Sequence, residues 1–534
     1  MARNRIIYAS QSVWVNGEVL YRVQSLGTTT TFTSEDIFEL GHLDIIDVVD
    51  DVPAVAVTLN TNDFGDVRTL AVLAQVAPAK SAMAVTATSD NGNLVVVSGT
   101  DLVEVGPYLH GVALADFSIV CGNLPGVTLW APVQDECSLG TLANNIDQTL
   151  FLDEVYINSL EFSYTTGANA TENYGAETDN KMWLLNAGRF VNYDAYTLDG
   201  TDISNGYVDL TIASGTTIAT LSAGIGFLRK DSNGSPAVTW YDASANEMTN
   251  VEIVTGSAAA ANTYVYRASV LGSAHRVFFP TGANAPVATD RLQIIYSADG
   301  YGTGTSDTYF TALNDVNRPD SVGALRQGQV EASIVALDAA AYDIAWRLTG
   351  VTITCDLTRE ALAELGHLSP YDRPLTLPIP ITVTVDSTAG DLENWSKVAN
   401  KLTEYRASTL DDIDLADLMG SEDLKLVVKV YAQTDEEAGG TGANRQVADG
   451  SDLVGQYYWL NGTRGGPYVA GNTEYPLKTI IVEHLKITDE GATLDMGANM
   501  TQTFGFRSTN DLYVVKGDLA IGYYTGDFKV RRNG

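Results

Sequence analysis

Basic residues are scarce in this chain: 31 lysines and arginines stand against 66 aspartates and glutamates, a formal charge of −35. Such a surface repels phosphate, which excludes nucleic-acid binding by counterion release. Two readings remain, a charge that keeps the chain soluble and a surface that faces nucleic acid without gripping it. Cysteine is nearly absent. Cys121, Cys137 and Cys355 are odd in number and far apart, so three buried thiols are expected rather than a disulfide framework or a zinc site. A reducing cytoplasm is the expected site of maturation. No apolar run approaches the roughly 18 residues of a membrane span. Met1-Ala2-Arg3-Asn4-Arg5 leads into the strand-like Ile6-Ile7-Tyr8 without an apolar signal core. No membrane association is expected.

Chemistry-bearing patterns are equally thin. The five histidines, His42, His110, His275, His367 and His484, show neither H-x-x-x-H nor H-E-x-x-H spacing. The nucleophile pattern G-x-S-x-G is missing. Paired carboxylates such as Asp50-Asp51 carry no signal among 66 acids and read as a solvated face. The G-x-G of Gly300-Tyr301-Gly302 is followed by no lysine or helix start, which argues against a phosphate loop. No catalytic, cofactor or metal site is expected, and the chain does not read as an enzyme.

What is present is a repeat. Glu39-Leu40-Gly41-His42-Leu43 returns as Glu364-Leu365-Gly366-His367-Leu368, an offset of 364 − 39 = 325. Thr33, Glu35 and Pro53 recur as Thr358, Glu360 and Pro378. Each proline precedes an alternating strand, Val55-Ala56-Val57-Thr58-Leu59 or Ile381-Thr382-Val383-Thr384-Val385. Further on, Gly167-Ala168-Asn169-Ala170-Thr171 reappears as Gly497-Ala498-Asn499-Met500-Thr501, at 497 − 167 = 330. Two signatures in one order at nearly one offset mark a tandem duplication. The sequons at Asn169 and Asn499 fit turn chemistry better than glycosylation.

With 534 residues, 48 glycines, 26 tyrosines and 15 prolines, the composition favours β-structure with tight turns. Three regions follow: a first unit over 1–195, an insert over 196–325 and a second unit over 326–534. In the first unit Asn16-Gly17 predicts a hairpin, and Ser34 to Leu40 a short capped turn stopped by Gly41. Residues 66–74 and 391–402 predict one flanking helix per unit. The insert has apolar runs at 207–212, 237–241, 251–254, 264–266, 276–279 and 292–296, the spacing of an all-β sandwich. An immunoglobulin-like arrangement is one form it can take. Residues 299–304 read as the linker back. A polar loop over 434–472 reads as an arm toward a neighbour.

The order of hairpin, Glu-Leu-Gly-His-Leu turn, proline-led strand, flanking helix, long loop and Gly-Ala-Asn-x-Thr closing strand resembles the tail tube proteins of long-tailed bacterial or archaeal viruses. The resemblance covers both copies, about three quarters of the chain. It implies a mainly β (α+β) fold of two tandem barrel or sandwich units, assembling into stacked rings that form a conduit for genome ejection. Three chains of two units each would complete a pseudo-hexameric ring. The implied location is the virion tail, after synthesis in the host cytoplasm. The implied partners are further copies of the chain, tape-measure, terminator and baseplate or tip proteins, and a sheath if the tail contracts. Viral DNA would pass without tight binding. Asp153 and Glu483, equivalent at offset 330, are the expected lumen-lining pair, and the 434–472 loop would dock the next ring. Two other readings stay open, a head-decoration or fibre-like surface protein and a secreted glycan-acting β-protein.

Overall fold

A computed structural model describes residues 11–62, 127–133, 148–212, 218–298, 330–336, 348–388, 424–431, 476–493 and 500–516, with short gaps inside several of these ranges. The expected helices at 66–74 and 391–402, the linker at 299–304 and the loop at 434–472 lie outside the described residues. What is described is mainly β.

The first unit opens with the hairpin expected at Asn16-Gly17, made by β1 (Val13–Val15) and β2 (Glu18–Leu20). Both turn residues take positive φ, 48° and 85°, as a two-residue hairpin loop requires. Next come β3 (Val23–Thr31) and a small hairpin of β4 (Ser34–Ile37) and β5 (Asp47–Asp50). The capped turn expected over 34–40 is therefore a strand at its start. Pairing Glu35 with Val49 and Ile37 with Asp47 sets acids opposite β-branched residues; a helical turn would crowd Glu35, Asp36 and Glu39 together. The unit is completed by β6 (Ala54–Asn62), β7 (Val127–Val133), the 18-residue β8 (Gln148–Thr165), β9 (Thr171–Thr178) and β10 (Asn180–Leu184).

The central region starts within the stretch assigned to the first unit, at β11 (Phe190–Thr197). A short helix, α1 (Gly200–Asn205), follows. Asp199 caps it and Gly206 ends it at φ 75°. The remaining strands are β12 (Tyr207–Asp209), β13 (Thr220–Leu221), β14 (Gly224–Ile225), β15 (Ala237–Asp242), β16 (Glu247–Thr255), β17 (Tyr264–Arg267), β18 (Arg276–Phe278) and β19 (Arg291–Ala298). Seven of the insert's strands form one sheet in the order β11-β19-β15-β16-β17-β18-β12. It encloses its own core, in which Phe227, Tyr264, Leu292 and Tyr296 are fully buried.

The second unit holds β20 (Val330–Ala336), β21 (Leu348–Asp356), β22 (Pro380–Thr388), β23 (Leu424–Tyr431), the 18-residue β24 (Pro476–Thr493), β25 (Thr501–Thr509) and β26 (Leu512–Lys516). Its pairing repeats the first unit's. β3·β6, β6·β9, β9·β8, β8·β7, β7·β1 and β8·β10 have the counterparts β21·β22, β22·β25, β25·β24, β24·β23, β23·β20 and β24·β26. Details repeat as well. Glu154 and His484 both take positive φ, 52° and 54°, at 484 − 154 = 330. Thr178 and Ser508, again 330 apart, donate their hydroxyls to the carbonyls of Asp153 and Glu483. A bulge at Ile157/Ser159 has its copy at Ile487/Asp489.

Those bends explain the layering. β8 and β24 each belong to two sheets, the N-terminal half in a small outer sheet and the C-terminal half in a shared inner one. The inner sheet runs β3-β6-β9-β8-β21-β22-β25-β24, antiparallel throughout. One of its faces is apolar and covered, with Val57, Leu160, Phe162, Ile353, Val383 and Phe504 at 2% exposure or less. The other alternates in the period-2 pattern of a half-buried sheet and carries Thr, Ser, Asn and acidic residues. Cys355 lies on the covered face, as expected of a buried thiol, and burial pushes its pKa up to about 12. Cys121 and Cys137 lie outside the described residues.

Candidate functional site

The inner sheet is joined across the two units by one seam. β8 and β21 pair antiparallel over seven residue pairs, from Gly350 opposite Thr165 to Asp356 opposite Ser159. The seam is well packed: Phe162 faces Ile353 and Leu160 faces Cys355, all at 1% exposure or less. Beyond β21 the chain forms an arm that lies across the first unit. Leu357 donates its backbone N–H to the Asn158 carbonyl at 2.9 Å, and Arg359 donates Nε to the Ile157 carbonyl at 3.0 Å. Arg373 pairs with Glu177 at 2.6 Å, and the guanidiniums of Arg359 and Arg373 lie 5.3 and 5.9 Å from the centre of the Tyr156 ring.

The two ends of the same sheet repeat the halves of that seam without closing it. Among the described residues β3 pairs only with β6, and the C-terminal half of β24 only with β25. By the offsets above, β3 is the counterpart of β21 and β24 of β8. Leu26, Thr28 and Thr30 are half-buried where their counterparts Val351, Ile353 and Cys355 are buried. The first arm, 33–53, is the counterpart of the docked second arm. Its described apolar side chains are open to solvent: Phe38 is 65% exposed, Ile46 51% and Val48 49%. At the tips, Leu40 and its counterpart Leu365 are both fully exposed, although the second arm is docked. Exposed apolar groups on an unpaired sheet edge mark an association surface.

A second polar feature holds the insert to the first unit. Arg229, 1% exposed, donates to Asp153 at 2.7 Å through Nη2 and at 3.0 Å through Nε, and to Thr128 Oγ1 at 2.8 Å. Burial works against its charge, but the Asp153 carboxylate outweighs that and raises its pKa. Asn250 of the insert donates to Glu154 at 2.8 Å. Around these bonds Trp14, Trp130, Phe151 and Leu184 of the first unit pack on Phe190, Val191, Leu228 and Ile295. Trp14 and Trp130 stack with centroids 6.2 Å apart.

Asp153 therefore does not occupy the lumen-facing position expected of it. The bend at Glu154 turns its half of β8 into the outer sheet, where the carboxylate is 1% exposed beneath the insert. Glu483, its counterpart, is half-buried beside the same bend. The acids on the open face of the inner sheet are instead Glu161, Glu177, Asp386 and Asp489. They include Glu161 accepting from Asn173 at 2.8 Å and Asp386 accepting from Thr503 at 2.7 Å. Strand parity counted from the bulge identifies this face; the repeat offset alone does not.

Of the duplicated motif, Glu39, Leu40 and Leu43 are exposed in the first arm, and Leu365 in the second. Gly167, at φ 80°, makes the turn from β8 to β9, where Ala168 donates its N–H to the Thr165 carbonyl. Asn169 lies in that turn, Thr171 opens β9 and Thr501 opens β25. Gly41, His42, Glu364, Gly366, His367, Leu368, Gly497 and Asn499 lie outside the described residues. No group of three or more metal-binding side chains occurs among the described residues. Compared with known proteins, the chain matches no family model and no curated protein.

Proposed function

We propose that the chain is a structural subunit that closes into rings by repeating between chains the seam it already contains. The observation that carries this reading is the pair of open ends of the inner sheet, β3 and β24, which are counterparts of the two strands joined inside the chain. Carrying the internal register across the offsets places Thr28 opposite Ala492, Thr29 opposite Gly491 and Thr30 opposite Glu490 of the next chain. Main-chain pairing of this kind adds one sheet to another without new side-chain chemistry. Three chains then supply six units, and their eight inner strands each give 3 × 8 = 24 around a closed wall.

The polar face of that wall would line a channel. Hydroxyls and acids there offer sliding DNA no phosphate-binding well, in keeping with the −35 charge. Together with the tail-tube resemblance of the duplicated motifs, this supports a tail tube of a long-tailed virus, built from two tandem tube-fold units with flanking helices. The insert, immunoglobulin-like in this reading, stands outside on the first unit's outer sheet. Leu40 and Leu365, exposed at the arm tips, would touch the next ring in the stack. The tape measure, terminator, tip proteins and any sheath would be the further partners.

Electron microscopy of the purified protein with mass measurement of its particles tests the reading. Rings of three chains, or hollow tubes, are expected. The combined variant Leu40→Asp and Leu365→Asp should keep the rings and lose the tubes. A chain that stays monomeric at high concentration, even with a preformed tube end added as initiator, would remove the ring reading and favour a decoration protein.

A further inference from the structure

The two arms are copies in position but not in charge. Residues 33–53 carry seven acidic residues and neither lysine nor arginine, whereas residues 358–378 carry Arg359 and Arg373 against three acids. The surfaces they would lie on differ in the opposite sense. Inside the chain the second arm rests on Tyr156 and Glu177. At 507 − 177 = 330 and 486 − 156 = 330, the counterparts of these two residues are Arg507 and Lys486, both exposed. Within the chain the two arginines of the second arm lie on the Tyr156 and Glu177 cradle. An acidic arm and a basic cradle are left at its two ends.

We propose that the seam between chains is a charge-inverted copy of the seam within each chain. This inference rests on the ring reading above and names its selectivity device. The acidic first arm of one chain lies across the end of the inner sheet of a second copy, bringing Ser34 and Val48, the counterparts of Arg359 and Arg373 at offset 325, to Lys486 and Arg507, with Asp36 on the same strand face. Hairpin pairing supports the equivalence of the arms: Glu35 is registered with Val49, and their counterparts Glu360 and Pro374 share a 3.0 Å backbone bond. Ile37, Val48 and Val49, 42–49% exposed, supply the apolar surface that docking covers.

The inversion decides which ends meet. An acidic arm placed on the Glu177 cradle, or Arg359 and Arg373 placed on Lys486 and Arg507, sets like charges together in a desolvating contact. Second units therefore accept only first units, and two identical ends cannot join. Internal and external seams must alternate around the ring.

The test combines a register probe with charge reversal in the full-length protein. Thr29→Cys with Gly491→Cys places a thiol on each side of the external seam, on the polar face; Gly491 has open space for the added Cβ. Mild oxidation is expected to yield a disulfide between chains at these two positions, located by peptide mapping. In separate chains, Lys486→Glu with Arg507→Glu should weaken chain–chain association at least tenfold by analytical ultracentrifugation. Adding Ser34→Arg and Val48→Arg, which give the first arm the arginines of the internal one, should restore it. Cross-linking at the predicted pair with association unchanged by charge reversal would overturn the inversion and leave the ring standing. A wild-type chain that neither associates nor cross-links would overturn both.

Discussion

At Arg229 a full positive charge sits at 1% exposure, held by Asp153, Thr128 and Thr239. Such a pair is worth little against a well-packed apolar substitute, but removing one partner strands the other. Asp153→Ala should therefore cost about 3–5 kcal/mol, read as an earlier denaturation midpoint with loss of the insert's protection from protease. Arg229→Met combined with Asp153→Leu should recover most of that loss. A single variant as stable as the wild type would mean the pair does not hold the insert. Nothing in the sequence pointed to this contact. The repeat drew attention to Asp153, yet its partner belongs to a region with no repeat, so no offset could find it. Tyr193 sits in the same environment, where burial pushes its phenol up to about 12; its ring should stay un-ionised in spectrophotometric titration to pH 10.

Among elements, β8 and β24 carry the architecture. Each is 18 residues long and serves two sheets, so a cavity near its crossing is felt in both layers. Phe162→Ala should cost about 3–5 kcal/mol, because Phe162 is 0% exposed and faces Ile353 across the internal seam. Denaturant unfolding with two separate transitions, where the wild type shows one, would be the mark of units uncoupled at the seam. Thr28→Ala, at the open counterpart of Ile353, should cost the isolated chain only about 1 kcal/mol, the hydrogen bond that Lys181 donates to its hydroxyl. Equal losses in the two variants would contradict the seam assignment. Strands β6 and β22 were legible because their period-2 alternation is strict, as in Val55 to Leu59 and Ile381 to Val385. The β4–β5 hairpin was not. Its short apolar runs, Ile37-Phe38 and Val48-Val49, lack a period, and only pairing across the arm decides between turn and strand. Helix α1 was missed because Asp199 and Asp202 make a capping box without the usual Glu or Gln.

For the whole molecule, the duplication was the most legible fact, since it survives as identical words in the sequence. Its meaning was not, because the pairing of β8 with β21 joins residues about 190 positions apart through an insert that hides the connection. The charge also reads differently once the sheet is known. Acids such as Glu161 and Asp386 share one open face. Wild-type protein should show no fluorescence-anisotropy change with duplex DNA even at low salt. Glu161→Lys with Asp386→Lys should introduce weak binding that fades as salt rises. Measurable wild-type affinity would contradict the channel face.

The packing of the two seams is unequal in a way that matters mechanically. Within the chain, Phe162 meets Ile353 and Leu160 meets Cys355; at the open ends the counterparts are Ala492 with Thr28 and Glu490 with Thr30. A wall made of such chains would have strong and weak joints in turn. Under bending or shear it would crack along every second joint and shed intact two-unit chains, so the break pattern of sheared particles would preserve the covalent pairing of the units.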